Sequence, residues 1–178
     1  MSVQVVYETH SITTDNEAGI ATGWLPGELS QAGREAALGL GERRRDDGID
    51  AIYVSDLARA LETVSIAFDG SGIPVVVDAR LRECNYGELN GAPVATLDLE
   101  RLAHVQAPWP GGESYADVVA RTRELLADLR REHDGERVLL VAHSANRWAL
   151  QHLLLDGSLD ELIAAPFEWQ PGWEFELP

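Results

Sequence analysis

The chain contains no lysine: all 14 of its basic residues are arginine, against 30 acidic residues. Without lysine there is neither a Schiff-base nucleophile nor the lysine of a phosphate-binding P-loop. The formal net charge of −16 argues against nucleic acid or anionic membranes as partners, because both are bound by clustered cations. A small phosphorylated ligand held in a local cationic pocket stays compatible with that charge. One cysteine, Cys84, excludes an intrachain disulfide, disfavours a cysteine-based metal site and fits a reducing, cytoplasmic setting. No apolar run approaches membrane-spanning length, and no basic segment followed by an apolar stretch opens the chain, so a soluble protein is expected.

What is present suits one domain over residues 1–178, with 45% hydrophobic content for a core. Val3 to Asn16 opens with a short apolar run that reads as a buried strand and delivers His10, just past its end, into a hydroxyl-rich turn. Thr14 to Leu29 reads as a functional loop. Ser30 is placed to cap a helix running to about Arg45, with Ala32, Ala36, Ala37 and Leu40 on its inner face. Ala51 to Ser55 is a second strand, followed by a helix from Leu57 to Phe68 with Ser55 or Asp56 as its cap, and Pro74 to Val77 is a third strand. Arg80 to Gly91 reads as a glycine-punctuated loop and Leu97 to Val105 as a weak helix. Ser114 with Asp117 forms a capping box for a helix over Tyr115 to Glu132. Val138 to Ala142 is the strongest strand, ending in His143, with a helix to Leu155 behind it. Trp169 to Leu177 alternates as an edge strand, with Trp173 and Phe175 facing one way.

Strands alternating with helices predict an α/β fold, a mostly parallel sheet covered on both faces. The carboxyl ends of its parallel strands then share one edge, which brings His10, Ser55 with Arg59, and His143 to a single crevice. Two histidines, an arginine and Glu83 in a nearby loop suit phosphoryl chemistry. A neutral imidazole can attack phosphorus, Arg59 and a protonated His143 can stabilise the equatorial oxygens, and a carboxyl can shuttle the proton. The same residues also have structural readings: a capping His143, an Arg59 paired with Glu62 and a solvated Glu83.

Six ordered blocks carry a resemblance. They are Thr9-His10-Ser11, Gly23-Trp24 with Leu29-Ser30-Gln31-Ala32-Gly33, and Ser55-Asp56-Leu57-Ala58-Arg59-Ala60-Leu61-Glu62-Thr63. The others are Leu81-Arg82-Glu83 with Gly87-Glu88-Leu89-Asn90-Gly91, Pro110-Gly111-Gly112-Glu113-Ser114, and Val141-Ala142-His143-Ser144. From Val3 to about Leu155 the chain resembles the histidine phosphatase superfamily, also called phosphoglycerate mutase-like. The resemblance implies a three-layer αβα sandwich with a mostly parallel central sheet. It implies that His10 is the phosphate-accepting nucleophile, Glu83 the proton donor, and Arg59 and His143 the phosphate-pocket cations.

In that family an arginine directly precedes the nucleophile; here Thr9 stands there, preceded by Glu8, and Ser11 and Ser144 replace the usual glycines. Arg147, in the first turn after His143, could supply the missing charge, or Glu8 and Thr9 could select a less anionic substrate. The expected substrate-binding set is Thr9, Ser11, Asn16, Trp24, Ser144 and Arg147. No metal and no cofactor are expected. His104, His133 and His152 are assigned to structure, Arg43 to Arg45 to a solvated helix end, and Trp109, Trp148, Trp169 and Trp173 to packing. The function expected is hydrolysis of a small phosphorylated metabolite through a phosphohistidine on His10. The alternative is a divergent member that binds a metabolite or runs a different reaction in the same crevice. A mutase is disfavoured because the chain is compact, and the aromatic C-terminal strand would offer a homodimer contact.

Overall fold

A computed structural model describes residues 2–178 of the chain. Its elements in order are β1 (Val3–Thr9), α1 (Thr14–Glu17), β2 (Ile20–Ala21), α2 (Gln31–Arg44), β3 (Ala51–Val54), α3 (Ala58–Ala67) and β4 (Val75–Val77). They continue as β5 (Ala92–Pro93), α4 (Val94–Asp98), α5 (Tyr115–Glu132), β6 (Arg137–Ala142), α6 (Ser144–Leu155), α7 (Leu159–Ala164) and β7 (Trp173–Leu177). The main sheet has the order β4-β3-β6-β1-β7, parallel except for β7, which runs antiparallel to β1. The expected α/β sandwich with a mostly parallel centre is therefore present.

Alternation along the strands sorts the core into two layers. Val3, Val5 and Tyr7 of β1 face α5 and α6, packing with Leu125, Leu129 and Leu150. Val6 and the residues Ile52, Val54, Leu139 and Val141 face α2 and α3, against Leu40, Ala60 and Val64. Both faces of β1, β3 and β6 are thus apolar, which is why these strands read as continuous hydrophobic runs. A third cluster, with Trp109, Tyr115, Trp148 and Leu97, fills the space under the segment between β5 and α5.

Several local expectations change. On α2 the buried residues are Gly33, Ala37, Leu40, Gly41 and Arg44, while Ala32 and Ala36 are exposed. The helix lies close to its neighbours: a Cβ on Gly33 would sit 1.8 Å from the Ile12 carbonyl oxygen, so glycine marks the inner face there. The helix α3 starts at Ala58 with Leu57 as N-cap; Asp56 pairs with Arg82, and Ser55 Oγ accepts from the Leu57 amide while meeting His143 Nε2. The expected loop of Thr14 to Leu29 holds structure of its own: Thr13, just before it, and Asn16 form a capping box on α1, and β2 pairs with β5. The weak helix of 97–105 is divided between α4 and a 3-10 turn over Arg101–His104. Trp173 and Phe175 share a face as expected, but Phe175 is buried and Trp173 packs against Tyr7. That face is turned into the core, not outward to a partner. Among the described residues no helix is long and apolar enough to cross a membrane.

Candidate active site

Strand register builds the site. Thr9 lies opposite Ala142 in the parallel β1–β6 pair, and the His10 amide donates to the Ala142 carbonyl at 2.9 Å. His10 and His143 therefore leave adjacent strands at the same level, with ring centroids 5.0 Å apart. Val54 lies opposite Val141, so Ser55 emerges beside them and its Oγ lies 2.9 Å from His143 Nε2. In the first turn of α3, the buried Arg59 donates from Nε to His10 Nε2 at 3.3 Å and from Nη2 to the Gly23 carbonyl at 2.8 Å. Glu83 completes the group from its loop: Oε1 accepts from the Cys84 amide at 2.8 Å and the Ala145 amide at 3.3 Å.

The protonation state of His10 follows from its contacts. Nδ1 lies 2.7 Å from the Ser11 carbonyl, which can only accept, so Nδ1 carries the proton. Nε2 then holds a lone pair, consistent with its accepting from Arg59. Burial, and secondarily the Arg59 charge, push the imidazole pKa down to about 3, so the ring is neutral at pH 7. His143 is fully buried, and burial, Arg59 and His10 hold its pKa well below the ordinary value. The protonated His143 expected from sequence is thus replaced by a neutral ring in the free protein. Its Nδ1 has no hydrogen-bond partner among the described residues.

His10, Arg59 and Glu83 line a cavity of about 890 Å3. Thr9, Ser11, Asn16 and Ser144 line it as well. Trp24, Arg147 and the fully buried His143 do not. The Trp24 indole donates to the Glu83 carbonyl at 2.7 Å and stacks under Arg82, so it braces the Glu83 loop from behind. Arg147 is buried between the rings of Phe167 and Trp173, at 5.3 and 4.9 Å, and does not supply the missing charge to the cavity.

The sequence also undervalued some residues. Arg44 is buried, not solvated: it donates to Glu8 at 2.9 Å, to Asp47 at 2.7 Å and to the Pro171 carbonyl at 2.9 Å. Arg43 reaches the other Glu8 oxygen at 3.1 Å and, with the exposed Trp169, lines the cavity. An acid inside an otherwise apolar strand was the available signal, since a buried carboxylate requires cations. Arg121 donates to the Glu83 carbonyl at 3.1 Å and pairs with Glu113 at 3.1 Å, which fixes the loop carrying the acid.

Comparison with known proteins matches residues 9–168 to the histidine phosphatase superfamily (branch 1). A 2,3-bisphosphoglycerate-dependent phosphoglycerate mutase of Methylobacterium sp. (strain 4-46) is 32% identical, over 93% of this chain and 86% of the relative. A glucosyl-3-phosphoglycerate phosphatase of Mycobacterium tuberculosis is 35% identical, over 97% of this chain and 89% of its own length. The solved structure of a mycobacterial glucosyl-3-phosphoglycerate phosphatase superposes with a TM-score of 0.79 at 31% identity, covering 92% of this chain and 84% of that one. With relatives of this extent and a family match spanning nearly the whole chain, the protein belongs to the histidine phosphatase superfamily, branch 1.

Proposed function

We propose that this protein is a phosphomonoesterase that works through a phosphohistidine on His10. The observation that carries the reading is the state of His10: a neutral imidazole with its proton fixed on Nδ1 by the Ser11 carbonyl and its Nε2 lone pair facing the Arg59 guanidinium. In the first step Nε2 attacks phosphorus in line with the ester oxygen, the N–P bond forms and the O–P bond breaks. Glu83 gives a proton to the departing alcohol. In the second step Glu83 takes a proton from water, the water oxygen attacks phosphorus, and the N–P bond breaks to release phosphate and neutral His10.

A phosphoryl oxygen would take over the Arg59 Nε–H that His10 Nε2 now holds, freeing the lone pair as the charge arrives. His143 lies behind the cavity wall, its ring held through Nε2 by Ser55 and packed 5.0 Å from the His10 ring, so it positions the nucleophile. Thr9 and Ser11 offer hydroxyls where the family more often has an arginine and a glycine, so the phosphoryl group meets one guanidinium, Arg59, and neutral donors. The test is release of inorganic phosphate from a panel of phosphomonoesters, with His10→Ala as control. Release that disappears in His10→Ala is expected; no release from any ester, or release unaffected by the substitution, would overturn the reading.

A further inference from the structure

Resting on the phosphomonoesterase reading, we infer that the substrate is the phosphate ester of a neutral, apolar, ring-bearing alcohol and not of a carboxylate-bearing or second-phosphate-bearing one. The charge lining the cavity is the first observation. Six charged side chains face it, three arginines and three acids: Arg43, Arg59, Arg101, Glu8, Glu83 and Asp98. Arg43 is paired with Glu8 at 3.1 Å, and Arg101 with Asp98 at 2.6 Å. Among the described residues Arg59 is the one lining arginine with no carboxylate at ion-pair distance, and it belongs to the phosphoryl site beside His10. With His10 neutral, the lining carries no net charge. A second anion on the leaving group would have to take Arg101 from Asp98, which would stay in the cavity to repel it, or compete for Arg43 with Glu8, whose other oxygen is held by Arg44.

The second observation is what the cavity offers in place of charge. Four large apolar side chains exposed at the surface line it: Ile12 at 43%, Leu102 at 55%, Phe167 at 54% and Trp169 at 63%. Exposed apolar side chains gathered on one concavity are a binding feature more than a surface accident. The two aromatics are also held in place. Arg43 lies over the Trp169 ring at 5.8 Å, and Arg147 over the Phe167 ring at 5.3 Å, so the wall after α7 is braced by arginines from α2 and α6. This gives Arg43 and Arg147 a role distinct from phosphate binding: they position the aromatic wall. A volume of about 890 Å3 takes a leaving group of at least two fused rings beside the phosphoryl group.

The experiment compares 1-naphthyl phosphate with 3-phosphoglycerate by inorganic phosphate release, for the wild type and for Phe167→Ala, Trp169→Ala and Asp98→Asn. The wild type is expected to favour naphthyl phosphate by at least about tenfold in kcat/KM. Each alanine variant should raise KM for naphthyl phosphate about five- to tenfold with kcat within about twofold, the effect of uncovering about 50 Å2 of ring. Asp98→Asn removes the carboxylate charge opposite Arg101 and should shift the ratio about three- to tenfold toward 3-phosphoglycerate. Turnover that favours 3-phosphoglycerate in the wild type, or alanine variants with unchanged KM, overturns the inference and leaves the phosphatase reading standing. No phosphate from either ester, nor from a wider panel, overturns both.

Discussion

The depressed pKa of His10 has a consequence for stability that can be read without any substrate. In the unfolded chain the imidazole titrates near 6.5; in the folded chain it titrates near 3. Between those values the unfolded state binds a proton that the folded state refuses, so folding stability is intact above pH 6.5 and falls as the pH drops toward 3. Each pH unit in that window is worth up to about 1.4 kcal/mol, so at pH 5 the His10 contribution is a loss of about 2 kcal/mol. Urea unfolding at pH 7 and pH 5 measures it, with His10→Asn as a variant that keeps a polar group of similar reach and has no proton to take up. The wild type should lose about 2 kcal/mol more than the variant between the two pH values. Equal losses would refute the assignment of a neutral, desolvated His10, and with it the ready nucleophile.

Other perturbations act on parts of the same site. Arg44→Met leaves the buried Glu8 carboxylate with only Arg43 and should cost about 3–5 kcal/mol in unfolding free energy, with part of the loss recovered by adding Glu8→Gln. Gly33→Ala drives a methyl into the Ile12 carbonyl and should cost about 1–3 kcal/mol while lowering phosphate release, since Ile12 follows the His10 turn. Arg147→Ala should lower stability by about 1–2 kcal/mol through its two ring contacts, with turnover of a small neutral ester changed less than about twofold. Thr9→Arg restores a cation beside the nucleophile and should raise kcat/KM for phosphomonoesters by about 10- to 150-fold, the worth of one charge-assisted hydrogen bond. An unchanged rate would mean that the phosphoryl site already has its full complement of donors.

The sheet was legible because its signal is local. The runs at Val3, Ala51 and Val138 are apolar on both faces, and the order of strands and helices leaves few ways to arrange them. The convergence of His10, Arg59 and His143 followed from the same topology. Less legible were properties set by contacts between distant segments. Arg44 looks like a solvated helix end until β1 places Glu8 against it, 36 residues away in sequence. Arg147 sits one turn from His143, but the segment carrying Phe167 and Trp173 closes over it, and nothing in its own neighbourhood reports that. Trp24 likewise reads as a pocket residue until the Glu83 carbonyl takes its indole proton. The charge state of His143 was missed for a related reason, since complete burial beside Arg59 outweighs any benefit of carrying a proton.

The central claim is that His10 becomes covalently phosphorylated. Rapid mixing with an ester that releases phosphate, followed by an alkaline quench, digestion and mass spectrometry, reads the modified residue directly. An adduct of one phosphoryl group on the peptide containing His10, stable to base, lost in acid and absent from His10→Ala, is the predicted result. Phosphate release by the wild type with no such adduct at any mixing time, or an adduct on another residue, would contradict it.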